Sequence, residues 1–421
     1  MNFARLNHLL IPSTKTGRDR LRTGRWAWLA RAIEGVFRAF TKEGRALIVF
    51  WLICGGLGLE VRATQVHLLW CALTGVFAVS LVLRRFYGMG GVMVRIEAPE
   101  RIAQGEVINI DLVVSNEGGE EITGVRVEGP LLPWDGTYVG AAPTLPVLKR
   151  GETVRLTVKI RFVERGEHHL DPFALSRVVP LGLLAGPNMK SKGIRFLVLP
   201  KVAAVSQLDL PMNMRHQPGG VALASQTGES RELGGLRPYR PGDPVRDLHH
   251  RAWARFGVPM VREYIQEYFT RVGVVLDTDR RAVDEETFER GISLAAGVLA
   301  HLSRGEALID LLVMGEKLHQ LTMGRHLGFL EQGLDLLACV DAGGPLRVER
   351  ILAMLSPHLG RLSSLVVITL RWDEVRQRLV DELRRHGVGV TVLTIDDETE
   401  LSRDPKRVSR SAIERGEALA L

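Results

Sequence analysis

The stretch that decides the fold is "RVGVVLDTDRR", residues 271–281. It begins with an apolar strand that ends at Asp277, and a strand without polar alternation is typical of a sheet buried on both faces. A helical pattern over 285–303 follows, and then come the strands "ALIDLLVM", "SSLVVITL" and "GVTVLTI" with further helical segments. This alternation predicts an α/β domain over residues 271–400, built on a largely parallel sheet with helices on both faces. Ligands of such sheets bind at the carboxyl ends of the strands. The candidate binding residues at these ends are Asp277, Asp279, Thr369 and Asp373.

Residues 90–200 carry a different period. In "TVRLTVKIRF", residues 153–162, apolar side chains alternate with Thr, Arg and Lys, and "VINIDLVV", residues 107–114, follows the same pattern. Short half-buried strands separated by turns such as "NEGGE" predict an antiparallel β-sandwich of the immunoglobulin-like type. Domains of this type usually act as spacers or binding modules, and the stretch contains no pattern that indicates catalysis.

Near the N-terminus, residues 46–59 and 66–83 are apolar runs that no basic or acidic cluster interrupts. The second is long enough to cross a hydrocarbon core of roughly 30 Å, whereas the first, at about 21 Å, needs extension to Val61. We predict a transmembrane helical hairpin over residues 46–85; the alternative is a buried helical pair in a soluble protein. Residues 1–45 hold ten Lys or Arg against three acidic residues. By the positive-inside rule, the N-terminus and everything after residue 85 then lie in the cytoplasm. The preference for arginine over lysine indicates a bacterial source, so we expect the membrane to be the bacterial inner membrane.

Composition assigns the remaining segments. The basic segment 1–45 includes an amphipathic helix over 26–40, which either lies on anionic lipid or packs on the protein's own domains. Residues 201–270 are predicted as a linker and residues 401–421 as a polar tail.

The net charge of +7 is modest for 421 residues, and no basic run with interleaved aromatic residues indicates a nucleic-acid partner. The three cysteines form no Cys-x-x-Cys pair that would indicate a zinc or redox site.

The predicted linker contains a dense run of charge, "LRPYRPGDPVRDLHHRAWARFG", residues 236–257. Within it, Pro241 and Gly242 predict a tight turn. One interpretation of the run is an ion-pair network of three arginines with Asp243 and Asp247 that locks the angle between the two domains. A surface that binds a partner or an anion is a second interpretation, and catalysis is a third. The signature residues are Arg237, Tyr239, Gly242, Asp243, Arg246 and Arg255, and the three arginines among them are those of the network.

Three stretches resemble the bacterial family named domain of unknown function 58. They are "RGEHHLDPFALSRVVPLGLLAG" (165–186), the signature run from Arg237 to Arg255, and "VGVVLDTDRR" (272–281). The run departs from the family pattern at two positions, where His250 stands for Trp and Trp253 for Ser or Thr. The resemblance implies that the α/β domain is von Willebrand A-like, which is a Rossmann-like fold. It also implies partnership with a MoxR-type AAA+ ATPase, often in envelope assembly or stress responses.

The resemblance bears on metal binding at the first strand end. A von Willebrand A domain that binds Mg²⁺ uses Asp-x-Ser-x-Ser with a distant Thr and Asp, because magnesium requires hard oxygen ligands. Here the third position is Asp279 and the fifth is Arg281, whose guanidinium would compete with the ion. We therefore expect no metal and no cofactor, and we expect Asp277 and Asp279 to pair with arginines.

The chain has no Walker A sequence and no Gly-x-Ser-x-Gly elbow, so the sequence indicates neither nucleotide hydrolysis nor serine-hydrolase chemistry. We predict a non-enzymatic membrane adaptor that docks the ATPase through its strand-end face, around Asp277, Thr369 and Asp373. The alternative is an envelope-associated enzyme that uses Arg246, His249 and His250.

Overall fold

The chain divides into two units. The computed structural model describes residues 39–57, 65–211, 233–243, 245–264, 271–279, 281, 283–305, 307–314, 318–323, 327–344, 347–396 and 405–421. The first unit contains Met1–Lys201 with Leu334–Val340, and the second contains Val202–Gly333 with Asp341–Leu421.

Two apolar helices, α1 (Lys42–Leu57) and α2 (Val66–Arg84), begin the described part of the first unit. Within the described residues, α2 is the one helix that is both long and apolar enough to cross a membrane. The 16 residues of α1 reach only about 24 Å at 1.5 Å per residue. The helices contact each other where the Trp51 ring stacks on Trp70 at 5.8 Å between centroids, and Trp51 Nε1 donates to Thr74 Oγ1 at 2.8 Å. The connection 58–64 and residues 26–38 of the predicted amphipathic helix lie outside the described residues, so the hairpin and that helix stay predictions.

The loop 180–186 binds the ends of both helices. Thr41 Oγ1 donates to Gly182 O at 2.6 Å just before α1, and Arg84 Nε donates to Ala185 O at 2.8 Å in the last turn of α2. A Cβ at Gly44 would lie 2.0 Å from Leu183 O, so only glycine allows α1 to approach the loop this closely. The loop therefore fastens the helices to the β-sheets of the same unit.

Short strands build the rest of the first unit. They are β1 (Val92–Glu97), β2 (Arg101–Ala103), β3 (Val107–Asn116), β4 (Ile122–Glu128), β5 (Gly136–Tyr138), β6 (Thr144–Leu148), β7 (Thr153–Phe162), β8 (Gly166–Leu170), β9 (Ala174–Arg177), β10 (Met189–Lys190) and β11 (Ile194–Leu199). They form two four-stranded sheets, β1-β3-β7-β5 and β10-β9-β4-β6, and a three-stranded sheet, β2-β11-β8. Neighbouring strands are antiparallel except for β2 and β11, which pair in parallel.

The alternation predicted from sequence is present in the central pair of this unit. Ile110 lies opposite Val158 and Leu112 opposite Leu156 in the antiparallel register of β3 and β7, and all four side chains are buried. The intervening Thr, Arg and Lys of β7 are exposed. Burying each such aliphatic side chain stabilises the unit by about 1.5–3 kcal/mol, which explains why a strict period of two fixes the strands.

The second unit contains a six-stranded sheet with helices in the connections. Its elements in the α/β part are β15 (Arg271–Asp277), α4 (Glu285–Leu302), β16 (Leu308–Met314), β17 (Leu318–Met323), α5 (Leu327–Ala338), α6 (Val348–Leu359), β18 (Ser364–Thr369), α7 (Glu374–Arg385), β19 (Gly389–Ile395), β20 (Lys406–Val408) and α8 (Arg410–Arg415). Residues 334–338 of α5 belong to the first unit. They follow β12 (Val205–Gln207), β13 (Leu233–Pro238), α3 (His250–Phe256) and β14 (Met260–Tyr264), and β21 (Leu419–Ala420) ends the chain.

The direction in which the chain adds strands to the large sheet switches between β15 and β18. The order is β17-β16-β15-β18-β19-β20, and all neighbours are parallel except β16 and β17. Residues 364–369 and 389–395 are buried throughout, as the unbroken apolar runs predict for a sheet covered on both faces. The chain moves outward in opposite directions from β15 and β18, so the connections after these two strands separate at their carboxyl ends.

Two predicted boundaries are wrong in part. The polar tail predicted over 401–421 is incorrect for 405–421, because β20 pairs with β19 at the sheet edge and β21 pairs with β12. Val408, Ile413 and Leu419 are buried there. The linker predicted over 201–270 is also structured in its described residues: β12 belongs to the second unit, and β13, α3 and β14 form a hairpin with an inserted helix. Segments this short carry too few residues to show a period.

Candidate functional site

Three carboxylates and one guanidinium meet at the carboxyl ends of the central strands, and we name Asp277, Asp279, Asp373 and Arg376 the strand-end cluster. Asp277 is the last residue of β15, and Asp279 follows two residues later. Asp373 is the N-cap of α7, where its side chain accepts a hydrogen bond from Arg376 N at 3.0 Å. The capping preference of aspartate and the end of an apolar strand thus fix the positions of all three acids.

The Arg376 side chain occupies the centre of the strand-end cluster. Its Nε donates to Asp277 Oδ2 at 2.8 Å, and its Nη1 donates to Asp373 Oδ2 at 2.6 Å. Its Nη2 lies 2.7 Å from Asp277 Oδ2 and donates to Asp279 Oδ2 at 3.4 Å. Arg376 and Asp277 are each 1% exposed at the side chain. One guanidinium therefore joins the end of β15 to the start of α7.

Burial and mutual attraction together set the charge states of Arg376 and Asp277. Burial lowers the pKa of Arg376, but the carboxylates of Asp277, Asp373 and Asp279 raise it further, so the net direction is upward and the side chain stays charged. Burial raises the pKa of Asp277, while the Arg376 guanidinium and the hydrogen bond from Asp279 N act in the opposite direction. Since each partner compensates the charge of the other, removing either would leave a buried charge alone.

Two further arginines complete the cluster at its outer side. Arg281 Nε donates to Asp279 Oδ1 at 3.1 Å, and Arg371 Nε lies 2.9 Å from Asp373 Oδ2. Arg281 is 60% exposed at its side chain and Arg371 33%. Three carboxylates are thus matched by three guanidinium groups, and the formal charges cancel.

The docking role predicted for the strand-end residues needs correction. Asp277, Asp279 and Thr369 are buried, and only Asp373, at 29% side-chain exposure, reaches the surface. Thr369 Oγ1 donates instead to Leu393 O at 3.4 Å, inside the sheet. These three side chains therefore hold the sheet and the cluster together and offer no contact surface to a partner.

Arg376 was not among the predicted site residues, although the sequence contains a signal for it. In α7 the buried positions are 376, 379, 380 and 383, which is the spacing of a core-facing helical stripe. An arginine on such a stripe requires a buried counter-ion. The expected pairing of Asp277 and Asp279 with arginine is present, with Arg376 as the shared partner. Within the described ranges, no three His, Cys, Asp or Glu side chains are arranged to hold a metal ion.

The first part of the signature run forms a turn that the ion pair of Arg237 with Asp243 stabilises. Arg237 Nη1 and Nη2 donate to the two carboxylate oxygens of Asp243 at 2.7 and 2.8 Å, a bidentate pair across the turn. Arg240 N also donates to Asp243 Oδ2 at 2.8 Å. Gly242 has a φ of 105°, which the turn prediction requires. Tyr239 N donates to Pro259 O at 2.8 Å and so continues the pairing of β13 with β14.

The ion-pair network predicted for this run is present only as two separate pairs, Arg237 with Asp243 and Arg246 with Asp247. Arg246 is 76% exposed at its side chain, and its Nε lies 4.0 Å from Asp247 Oδ2. Arg255 is also exposed, and its guanidinium lies over the ring of Phe256 at 5.9 Å. The shorter pair, Arg237 with Asp243, joins residues six positions apart in one hairpin, so it stabilises a local turn.

The three residues of the enzyme alternative have separate roles. His249 is the N-cap of α3, because its Nδ1 accepts a hydrogen bond from Ala252 N at 3.0 Å. His250 stacks on Trp253 with 6.4 Å between ring centroids. Neither histidine forms a hydrogen bond or ion pair with the exposed Arg246, so the structure does not assemble them into an acid–base pair.

The signature run instead exposes apolar side chains among arginines. Trp253, Phe256 and Val258 are 41%, 60% and 48% exposed, and Arg251 and Arg255 are exposed beside them in the chain. We name these five residues the signature surface. Large exposed apolar side chains surrounded by charge are typical of binding sites, so this surface is the interaction candidate of the second unit.

The Asp243 turn gives a prediction for acidic pH. The hydrogen bond from the Arg237 side chain, followed by that from Arg240 N, lowers the pKa of Asp243 to about 2. A carboxyl with a lowered pKa stabilises the folded state above its unfolded pKa and loses that contribution as the pH falls toward about 2. We expect the amides of residues 233–243 to lose hydrogen-exchange protection over this acidic window, and Asp243→Asn to remove the pH dependence. Asp247→Asn is the control, and an unchanged profile in Asp243→Asn would contradict the prediction.

Comparison with known proteins assigns no family. No protein-family model matches the chain, and no curated protein is similar to it. The native conformation of alpha-2-macroglobulin from Escherichia coli is 17% identical over 27% of this chain and 7% of its own, with a TM-score of 0.22. The CARDB domain of the PF1109 protein from Pyrococcus furiosus, in complex with di-metal ions, is 15% identical over 26% of this chain and 87% of its own, with a TM-score of 0.18. The chain thus spans a small fraction of the length of the macroglobulin.

Proposed function

We propose that the protein is a membrane-anchored adaptor of the domain-of-unknown-function-58 type that binds a MoxR-type AAA+ ATPase. In this proposal the β-sheets of the first unit are an immunoglobulin-like sandwich, and the second unit is a von Willebrand A-like domain. The three sequence stretches that resemble the family support the assignment. The sheet order of the second unit, with its switch between β15 and β18, is compatible with it.

The observation that carries an adaptor function over an enzymatic one is the saturation of the strand-end cluster. The carboxyl ends of the strands beside such a switch are where an α/β unit usually binds or transforms ligands. Here the carboxylates of the cluster are joined to Arg376, Arg281 and Arg371 at 2.6–3.4 Å. A general base needs an acceptor oxygen free to take a proton. Each carboxylate oxygen of the cluster is already paired, either with a guanidinium or, for Asp277 Oδ1 and Asp373 Oδ1, with a backbone N–H. The second unit is therefore proposed to bind a partner.

Membrane anchoring is proposed through α1 and α2 together. Ser80 is the one buried residue of α2, and Leu68, Val79 and Val82 are each more than half exposed. Leu52 and Ile53 of α1 are exposed to a similar extent. Apolar side chains facing outward on both helices suit hydrocarbon better than water. With the basic segment 1–45, the anchor places both units in the cytoplasm, where ATP is available to the partner.

The docking site is proposed at the signature surface. Its Trp253 and Phe256 resemble the aromatic anchors that dominate protein interfaces. The flanking Arg251 and Arg255 are exposed, and Arg246 extends the positive charge. The ATPase is therefore expected to contribute an apolar pocket with an acidic rim.

The adaptor function is tested by binding in nanodiscs. Full-length protein should capture the MoxR-type ATPase encoded by the same genome, with an affinity that depends on whether ATP, ADP or no nucleotide is present. Trp253→Ala should weaken binding by at least about tenfold, the loss expected when an interface anchor is truncated. Met93→Ala removes an exposed side chain of the first unit and is the matched control. Arg281→Ala tests the strand-end face in the same assay.

Two results would end the proposal. One is an ATPase that ignores the protein in every nucleotide state. The other is turnover of an envelope substrate by the protein alone, lost in His249→Ala and Arg246→Ala, which would favour the enzyme alternative. Equal binding by Trp253→Ala and the control, with a loss in Arg281→Ala, would move the docking site to the strand-end face.

A further inference from the structure

The loop 180–186 exposes a leucine beside the ends of both apolar helices. Leu181 is 67% exposed, and Phe86, which follows the end of α2, is 74% exposed. Both lie at the end of the first unit where the loop bonds to α1 and α2. The basic side chains of Lys42 and Arg85 are exposed at the same helix ends. We name these four residues the helix-end surface.

The backbone at Leu181 is strained. Gly182 N donates to Val179 O at 2.9 Å and closes a turn whose third residue is Leu181, with a φ of 76°. Glycine is the usual residue at this position, because a Cβ disfavours positive φ. In the described part of the chain, Leu181 is the one residue other than glycine with such a φ. A strained leucine that is also mostly exposed contributes little to the core, so its presence indicates a contact outside the unit.

Hydrogen bonds to the helices fix the depth of the loop relative to the apolar runs. Arg84 Nε donates to Ala185 O at 2.8 Å, and Leu83, directly before it, is the last apolar residue of α2. Thr41 also bonds to the loop, and the apolar run 46–59 begins about 8 Å further along the helix. The headgroup layer on each side of the hydrocarbon core is about 5–8 Å thick. A loop held at these positions by a membrane-spanning α2 therefore lies in the headgroup layer.

We infer that the helix-end surface binds anionic phospholipids, with its two apolar side chains among the upper acyl chains and its two basic side chains at the lipid phosphates. Apolar side chains flanked by basic ones are the chemistry that binds an anionic leaflet. The acidic Glu43 beside Lys42 lies 3.9 Å from Arg126, so the surface keeps its positive charge. This contact fixes the orientation of the first unit on the membrane. The inference rests on the proposed anchoring through α1 and α2, and it does not depend on the ATPase.

The test is spin labelling of the full-length protein in nanodiscs that contain phosphatidylglycerol. Leu181→Cys carries a nitroxide in a chain whose three native cysteines are replaced by alanine. Electron paramagnetic resonance then measures how often the label collides with oxygen, which concentrates in lipid, and with a nickel chelate, which stays in water. At position 181 we expect collisions with oxygen to exceed those with nickel.

Two further positions provide the references. Val163→Cys is the matched control, because Val163 is 49% exposed and lies beside the start of the ten-residue strand β3. The chain leaving α2 pairs with the opposite end of β3, about 30 Å away, so nickel collisions should exceed oxygen collisions at position 163. Val79→Cys reports on the anchor itself, since Val79 is 55% exposed in the middle of α2 and should collide with oxygen.

Leu181→Gly separates lipid contact from folding. Glycine adopts a φ of 76° without the strain of leucine, so the unfolding midpoint should stay the same or rise. A nitroxide at Phe86→Cys should nevertheless become more accessible to nickel in this variant, because half of the apolar contact is gone. Exchange of phosphatidylglycerol for phosphatidylcholine should also raise nickel accessibility at positions 86 and 181.

The outcomes distinguish the contact from the anchor. A label at 181 that meets nickel as often as the label at 163, in nanodiscs where the label at 79 meets oxygen, overturns the inference and leaves the proposed anchor standing. A label at 79 that meets nickel overturns both. Equal accessibility at 181 in phosphatidylglycerol and phosphatidylcholine overturns the preference for anionic lipid.

Discussion

Replacement of Arg376 by methionine is expected to lower the free energy of unfolding of the second unit by about 3–5 kcal/mol, the cost of leaving a buried charge without its partner. Methionine keeps most of the side-chain volume, so the loss reports charge rather than a cavity. Asp277 would remain 1% exposed with no counter-ion, and the link between β15 and α7 would be broken. Hydrogen exchange measured by mass spectrometry on peptides from 271–277 and 374–385 detects the change.

The control for this variant lies on the same helix. Arg378 is exposed, and Arg378→Met should change stability by less than about 0.5 kcal/mol, as is usual for surface substitutions. Addition of Asp277→Asn to Arg376→Met should recover part of the loss, because the amide removes the unpaired charge. If Arg376→Met exchanged as slowly as Arg378→Met, the cluster would contribute nothing to stability.

The second large effect is expected in the first unit, at a buried histidine–aspartate pair. His168 Nε2 lies 2.6 Å from Asp135 Oδ2, and the two side chains are 4% and 0% exposed. The other ring nitrogen lies 3.0 Å from Gly166 O, and the ring is packed against Phe162 and Phe196. Asp135→Ala leaves the imidazole without its acceptor inside an aromatic environment, so we expect a loss of about 3 kcal/mol. Hydrogen exchange of peptides from β7 and β8 measures it.

A neighbouring pair provides the matched control. His169 Nε2 lies 3.8 Å from Asp171 Oδ1, and these side chains are 13% and 17% exposed. Because this contact is longer and reaches solvent, Asp171→Ala should cost less than about 1 kcal/mol. Equal losses in Asp135→Ala and Asp171→Ala would show that burial of the first pair has no special energetic role.

Much of the fold follows from local sequence pattern. The alternation of apolar and polar side chains in 153–162 correctly predicted β7, and the apolar run 271–277 correctly predicted β15. One of the further helical segments predicted between the strands is α7, with Asp373 as its cap. The short strands β20 and β21 escaped prediction because pairing with distant partners forms them. Val205 pairs with Leu419 across more than two hundred residues, and no local period records such a contact.

The sequence predicted that the acids of the candidate site pair with arginine, but it did not identify the arginine. The sequence favoured pairing of Asp277 and Asp279 with arginine, since Arg281 stands where a metal ligand would be needed. The shared partner, Arg376, lies 99 positions from Asp277, and only the order of strands brings them together. In the signature run, spacing alone could not distinguish Arg237, which pairs with Asp243, from Arg246, which faces solvent. Whether an arginine side chain is exposed depends on which face of the turn it lies on, and tertiary packing determines that face.

The pairing of β12 with β21 joins the first and the last described strands of the second unit. Val205 and Leu419 are direct neighbours in the sheet, and Leu421 N donates to Gln207 O at 2.8 Å. Residues 205–207 and 419–421 of this unit therefore lie side by side. Domains whose two ends meet tolerate circular permutation and insertion into unrelated hosts. A rearranged chain that joins residues 421 and 202 through a short linker and opens in an exposed loop would retain every strand pairing of the unit. We therefore expect that the second unit can be fused to other proteins, with a membrane anchor other than α1 and α2.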